Sequence, residues 1–121
     1  MSRNILVVED DAPVARVVGR LLQRLGHAAV VVGTGADALS ALADPAAPFD
    51  LVLLDAQLPD MSGESVLRAL RDRGDDVTVV VASGDGEAAI RDEGLRDTLA
   101  GFLPKPFGLA ELRACLERLS G

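Results

Sequence analysis

Six positions carry chemistry that folding alone does not ask for: the run Glu9-Asp10-Asp11, the isolated Asp55, Ser83, and Lys105, the one lysine among 12 basic side chains. All of them lie at the ends of short apolar runs. If those runs finish on one edge, several carboxylates meet a hydroxyl and an ammonium there. Two like charges about 4 Å apart repel by roughly 4 kcal/mol at an effective dielectric near 20, so such a group of carboxylates needs a cation. Oxygen donors select a hard divalent ion, Mg²⁺ or the similar Mn²⁺. Mg²⁺ keeps several waters and takes few protein ligands, which leaves room for phosphate oxygens. Asp10, Asp11 and Asp55 are the expected ligands, and the backbone carbonyl of Gln57 offers a further contact. A carboxylate in such a site can attack phosphorus and become an aspartyl phosphate, with the lysine and the hydroxyl meeting charge on the phosphoryl oxygens.

The elements that must position these groups are readable as an alternation. Apolar runs at Ile5 to Val8, Ala28 to Val32, Leu51 to Leu54, Val77 to Ala82 and Gly101 to Leu103 are too short for helices. They lack polar alternation, as expected of parallel strands buried on both faces. Between the first two, Val14, Val17, Val18, Leu21, Leu22 and Leu25 recur at helical spacing with Arg16, Arg20 and Arg24 opposite. Pro13 suits the first turn of that helix and Gly26 its end. Further helices are predicted over Gly35 to Ala43, Gly63 to Asp72, Glu87 to Asp97 and Leu109 to Leu119, the fourth being interrupted by Gly94. Strand and helix alternating five times predicts an α/β fold, a five-stranded parallel sheet with helices on both faces, and right-handed crossovers leave a few strand orders, of which 2-1-3-4-5 is expected. Ligands of such sheets bind beyond the carboxyl ends of the strands, where strand order reverses.

Composition narrows the function classes. The chain has 121 residues, 49% hydrophobic, and a formal charge of −7, which suits one domain over residues 1–121 and argues against a nucleic-acid surface. The single Cys115 excludes an internal disulfide and is expected to pack in the interior. No apolar run approaches a membrane span, and a soluble, cytoplasmic protein is expected. His27 is read as an exposed loop residue, and Asp60 and Met61 as part of a loop beside the site, with Met61 on a partner surface.

Val-Val-Glu-Asp-Asp at 7–11, Leu-Leu-Asp at 53–55 followed by Pro59 and Gly63, Ala-Ser-Gly at 82–84 and Phe-Leu-Pro-Lys-Pro-Phe at 102–107 together resemble the receiver domains of two-component response regulators. The resemblance covers essentially the whole chain and implies the flavodoxin-like fold with strand order 2-1-3-4-5. It implies that Asp55 accepts a phosphoryl group from a phosphohistidine on a histidine kinase or histidine phosphotransfer protein, with Mg²⁺ held by Asp10, Asp11, Asp55 and the Gln57 carbonyl. It implies that Lys105 pairs with the phosphoryl group, that the bond to Pro106 is cis, and that Ser83 and Phe102 form the switch. Gln57 and Asp85 take the positions that tune hydrolysis. The face of helix four, strand five and helix five is then the output surface and the place for a homodimer. Leu99-Ala100-Gly101 lacks the acidic pair common in regulators that dimerise there, and the motifs look more like receivers of hybrid histidine kinases or stand-alone ones. Phe102 lacks the hydroxyl of the frequent tyrosine.

Three other classes compete. A Mg²⁺-dependent phosphohydrolase with an Asp nucleophile commonly has a second Asp two residues on, where this chain has Gln57. A receiver-like interaction domain that is never phosphorylated would be marked by loss of the acidic residues, Asp55 or Lys105, and all are present. An FMN carrier would need a Ser/Thr/Gly-rich phosphate loop after strand one and an aromatic to stack on the flavin, and this chain has no Trp or Tyr.

Overall fold

Unbroken apolar runs make the middle of the sheet. In β1 (Asn4–Val8), β3 (Leu51–Asp55) and β4 (Thr78–Ser83), successive side chains point to opposite faces, and both faces are covered. Leu6, Val8, Val52, Leu54, Val79 and Val81 feed a core on one side. Ile5, Val7, Leu51, Leu53 and Val80 feed a second core on the other. The computed structural model describes residues 2–120, so the expected boundaries at Met1 and Gly121 lie outside the described residues. Among these residues the sheet has five parallel strands, completed by β2 (Ala28–Val32) and β5 (Gly101–Pro104), in the order β2-β1-β3-β4-β5.

Helices α2 (Gly35–Ala43), α3 (Gly63–Asp72) and α4 (Glu93–Arg96) follow β2, β3 and β4, and bury Ala38, Val66, Leu67, Leu70 and Leu95 in the first core. Helices α1 (Ala12–Arg24) and α5 (Leu109–Ser120) cover the second core with Val18, Leu22, Leu112, Cys115 and Leu116. Helix α1 starts where Asp11 accepts a hydrogen bond from the Val14 N–H, and stops at Gly26, whose φ of 90° suits the left-handed turn beyond a helix end.

Four expectations need correction. The predicted helix over Glu87 to Asp97 is instead a 3₁₀ turn at Gly86–Ala89, an extended Ile90 and the single turn α4. Asp92 is the reason for the break: its carboxylate accepts from the Leu95 N–H and starts a new helix, and the Arg96 guanidinium donates to the Ile90 carbonyl that a continuous helix would have used. The second correction concerns β2, which lies at the sheet edge with Val30 50% and Val31 44% exposed. Third, Val17, placed by its spacing on the buried face of α1, is 53% exposed, and Ala15 takes its place inside. The fourth is His27, which is half-buried. Its Nδ1 accepts the Arg3 N–H at 3.0 Å while the Ala28 N–H donates to the Arg3 carbonyl at 2.9 Å.

Candidate functional site

The three central strands and β5 deliver their last residues to one edge. Asp55 closes β3, Ser83 closes β4, and the register pairs Asp55 with Ala82 and Ser83 with Pro104. The Lys105 N–H continues the ladder by donating to the Ser83 carbonyl at 3.0 Å, and the Lys105–Pro106 bond is cis. The groups surround a cleft of about 970 Å³ lined by Glu9, Asp10, Asp55, Gln57, Ser83 and Lys105 among others.

Asp55 is buried and held at both oxygens. Its Oδ1 accepts the Gln57 N–H at 3.1 Å, and its Oδ2 is 3.2 Å from Lys105 Nζ. Gly63 makes room for this turn: a Cβ there would stand 2.8 Å from the Asp55 carbonyl oxygen and 2.9 Å from Ala56 Cα. Lys105 Nζ also donates to Glu9 Oε2 at 3.0 Å. Burial works against the lysine charge, but the Glu9 hydrogen bond and the charges of Asp55 and Glu9 outweigh it and hold the ammonium above its ordinary range. The Glu9 carboxyl is pushed up, first by burial and then by the neighbouring Asp55 carboxylate, with Lys105 opposing.

Carboxylate oxygens of Glu9, Asp10 and Asp55 all lie within 4.8 Å of one another. Hard oxygen donors at this spacing fit a divalent ion with open positions for water and phosphate oxygens. Asp11, expected as a ligand, is not among them. Its carboxylate is turned to the Val14 N–H at the start of α1, and its backbone N–H donates to Glu9 Oε1 at 3.3 Å. The carboxylates grouped with Asp55 are therefore those of Glu9 and Asp10, one residue earlier than Asp10-Asp11, while Asp11 lines the same cleft with its carboxylate committed to the helix start.

Ser83 is buried, and its hydroxyl accepts the Asp85 N–H at 2.9 Å instead of capping a helix. Phe102 is half-buried and packs against the core beneath α2, α3 and α4. Asp60 caps α2 from outside the helix: its carboxylate accepts the Gly35 and Ala36 N–H groups at 2.8 and 3.0 Å, and these two bonds hold it below the usual carboxylate range. Met61 is drawn inward to pack on the core, and stands where a Cβ of Gly35 would lie. Glu64 and Arg91 also line the cleft and were not singled out from the sequence. Glu64 accepts the Arg91 N–H and pairs with Arg68, which reaches Asp92 at 3.3 Å. Only the place of Glu64 in the first turn after Gly63 hinted at this.

Residues 5–117 match the family described as response regulator receiver domain. The chain belongs to that family. This receiver domain is 35% identical over 119 residues to the response regulator MprA of Mycobacterium bovis (strain BCG / Pasteur 1173P2), covering 98% of this chain and 51% of MprA. It is 32% identical over 118 residues to the sensor kinase CckA of Brucella abortus (strain 2308), covering 98% of this chain and 12% of CckA. The receiver thus spans about half of one relative and a small part of the other. Among solved structures, it superposes on a CheY-like response regulator receiver domain from Methylobacillus flagellatus with a TM-score of 0.82 at 30% identity, covering 97% of this chain and 98% of that one. A sensor protein from Polaromonas sp. JS666 gives a TM-score of 0.84 at 31% identity over 95% of this chain and 93% of the other. Among the described residues of this receiver, no helix is long and apolar enough to cross a membrane.

Proposed function

We propose that Asp55 is the phosphoacceptor of this receiver domain and that a phosphohistidine on a histidine kinase or phosphotransfer protein is the donor. The observation that carries the reading is the placement of Asp55 Oδ2 beside Lys105 Nζ at 3.2 Å, inside the group of three carboxylates formed with Glu9 and Asp10. One Asp55 oxygen attacks phosphorus, the P–N bond breaks, and its electron pair returns to the imidazole nitrogen. Lys105 and the Ser83 hydroxyl meet the charge on the phosphoryl oxygens. The Gln57 N–H fixes the carboxylate plane from the other side.

Asp10 and Asp55 would hold Mg²⁺, with Glu9 beside them and the Gln57 carbonyl as a further donor. When bound, the ion neutralises the carboxylates and the phosphoryl oxygens, which lowers the barrier to bringing anions together. Release of the Ser83 hydroxyl from the Asp85 N–H toward the phosphoryl group is the proposed trigger. The segment between β4 and β5, Phe102 included, then carries the change to the face of α4, β5 and α5. A phosphoryl group shifts such an equilibrium only by its differential contacts with the two states, and Ser83 and Lys105 supply those contacts.

The test is incubation with Mg²⁺ and acetyl phosphate followed by intact-mass measurement. One added phosphoryl group is expected in the wild type and none in Asp55→Asn or in excess chelator. Equal labelling of the wild type and Asp55→Asn would remove Asp55 from the role. Steady turnover of a phosphate monoester would instead favour a phosphohydrolase.

A further inference from the structure

The acidic cleft adjoins a second groove, which shares Glu9 and Asp10 with it. Arg16 and Arg20 stand one turn apart and line this groove, of about 570 Å³, between α1 and the edge strand β2, with Arg24 one turn further on. In a chain of net charge −7, the guanidinium groups of these three arginines have no hydrogen-bond or ion-pair partner among the described residues. The groove exists because α1 turns small residues, Ala12, Ala15 and Gly19, toward β2, and a Cβ on Gly19 would meet nothing within 4 Å.

Strand β2 is itself open along its outer edge. It pairs only with β1, so one row of its backbone N–H and C=O groups has no strand beside it among the described residues. Val31 lies on the groove side and is 44% exposed; Val30, on the opposite face by strand alternation, is 50% exposed. The strand Ala-Ala-Val-Val-Val has no proline, charge or bulge to discourage pairing, the usual protections of an edge.

We propose that the free edge of β2 receives an extended acidic segment of a partner protein as a sixth strand, with its carboxylates on the α1 side against Arg16 and Arg20 and apolar residues beside Val30. Backbone pairing supplies the affinity of such strand addition and alternate side chains supply its selectivity. A second copy of this chain fits poorly. Antiparallel pairing of two β2 edges about a two-fold axis normal to the sheet places both α1 helices on one face, so the two arginine rows repel across the seam. A nucleic-acid backbone fits poorly as well, since it cannot complete a ladder with the open N–H and C=O groups of β2, whereas a peptide strand can, with its carboxylates set at Arg16 and Arg20 and clear of the Glu9 and Asp10 end of the groove.

The probe is a capped ten-residue peptide of alternating Glu and Val, titrated into the isotope-labelled protein and followed by amide shifts and amide exchange. Saturable shifts in residues 28–32 and along α1 are expected, with slowed exchange of β2 amides. Arg16→Glu combined with Arg20→Glu should raise the dissociation constant by at least about tenfold. Gly19→Leu, which fills the groove, should also weaken binding. Neither variant should alter acetyl phosphate labelling, so this test stands apart from the assignment of Asp55. The matched Lys and Val peptide should not bind. Absence of saturable shifts, equal binding of both peptides, preference for a single-stranded oligonucleotide, or concentration-dependent dimerisation through β2 would each overturn the proposal.

Discussion

Glu9 and Lys105 are 96 residues apart in the chain and 3.0 Å apart in the structure. The contact ties the end of β1 to the loop after β5 across the cleft that holds Asp55, so the one lysine is shared by two carboxylates. Asp10, the third member of the cluster, has no such partner in the lysine.

That asymmetry predicts opposite effects of Asp10→Asn with and without metal. Without divalent ions, the variant should be more stable than the wild type by about 0.5 kcal/mol, because one exposed like charge is removed. With Mg²⁺ at roughly ten times its dissociation constant, the wild type should gain about 1.4 kcal/mol and the variant much less. Urea unfolding in chelator and in Mg²⁺ measures both. Equal stabilisation of the two proteins by Mg²⁺ would count against Asp10 as a ligand.

Ser83→Ala should separate labelling from response. The variant keeps Asp55, Lys105 and all three clustered carboxylates, so acetyl phosphate labelling should remain largely intact. Amide exchange across residues 84–103 on phosphorylation should change less than in the wild type. An undiminished change would show that the Ser83 hydroxyl does not carry the coupling.

Two glycines predict opposite signs. Gly19 lies inside α1 with open space around its missing Cβ, so Gly19→Ala should stabilise by roughly 0.5 to 1 kcal/mol. Gly63→Ala drives a methyl group into the Asp55 carbonyl and Ala56. It should destabilise by about 1 to 3 kcal/mol and slow labelling of Asp55. Denaturant midpoints at constant slope decide both.

His27 predicts a pH dependence. Burial, then the positive charge of Arg3, hold its ring below the ordinary range, and its Nδ1 can accept the Arg3 N–H only when unprotonated. Below about 6.5 the unfolded chain therefore binds more protons at this residue than the folded one. The contribution of His27 is fully present above that pH and falls as pH drops through it toward the folded value. The stability difference between wild type and His27→Gln should accordingly shift against the wild type between pH 7.5 and 5.5. A constant difference would contradict a neutral, hydrogen-bonded His27.

Unbroken apolar runs alternating with helical spacing made the parallel sheet legible and left few strand orders, and the order 2-1-3-4-5 also rested on the likeness to receiver domains. Asp55, Ser83 and Lys105 were legible because each ends or follows such a run. The acidic triplet was harder. Asp10 and Asp11 are the donors expected from the run and Glu9 is not, but the backbone chooses otherwise. Strand β1 ends at Val8 and helix α1 begins at Ala12, so Asp11 becomes the cap and Glu9 turns inward. The region after β4 was misread for a similar reason. Of residues 86–96 only Ile90 and Leu95 are buried, too few to hold a continuous helix against the competing cap at Asp92. The exposure of β2 is a property of its edge position, which its composition of Ala and Val does not reveal.

Reductive trapping of the acetyl phosphate-treated protein with borohydride tests the central proposal most directly, because hydride cleaves an acyl phosphate and leaves an alcohol at the modified carboxyl. Peptide mass mapping is expected to locate the reduced residue at Asp55 alone, and only in protein treated with Mg²⁺ and phosphodonor. Reduction at Asp10 or Asp11, or a stable phosphate on Ser83 with Asp55 unmodified, would contradict the assignment of Asp55 as phosphoacceptor.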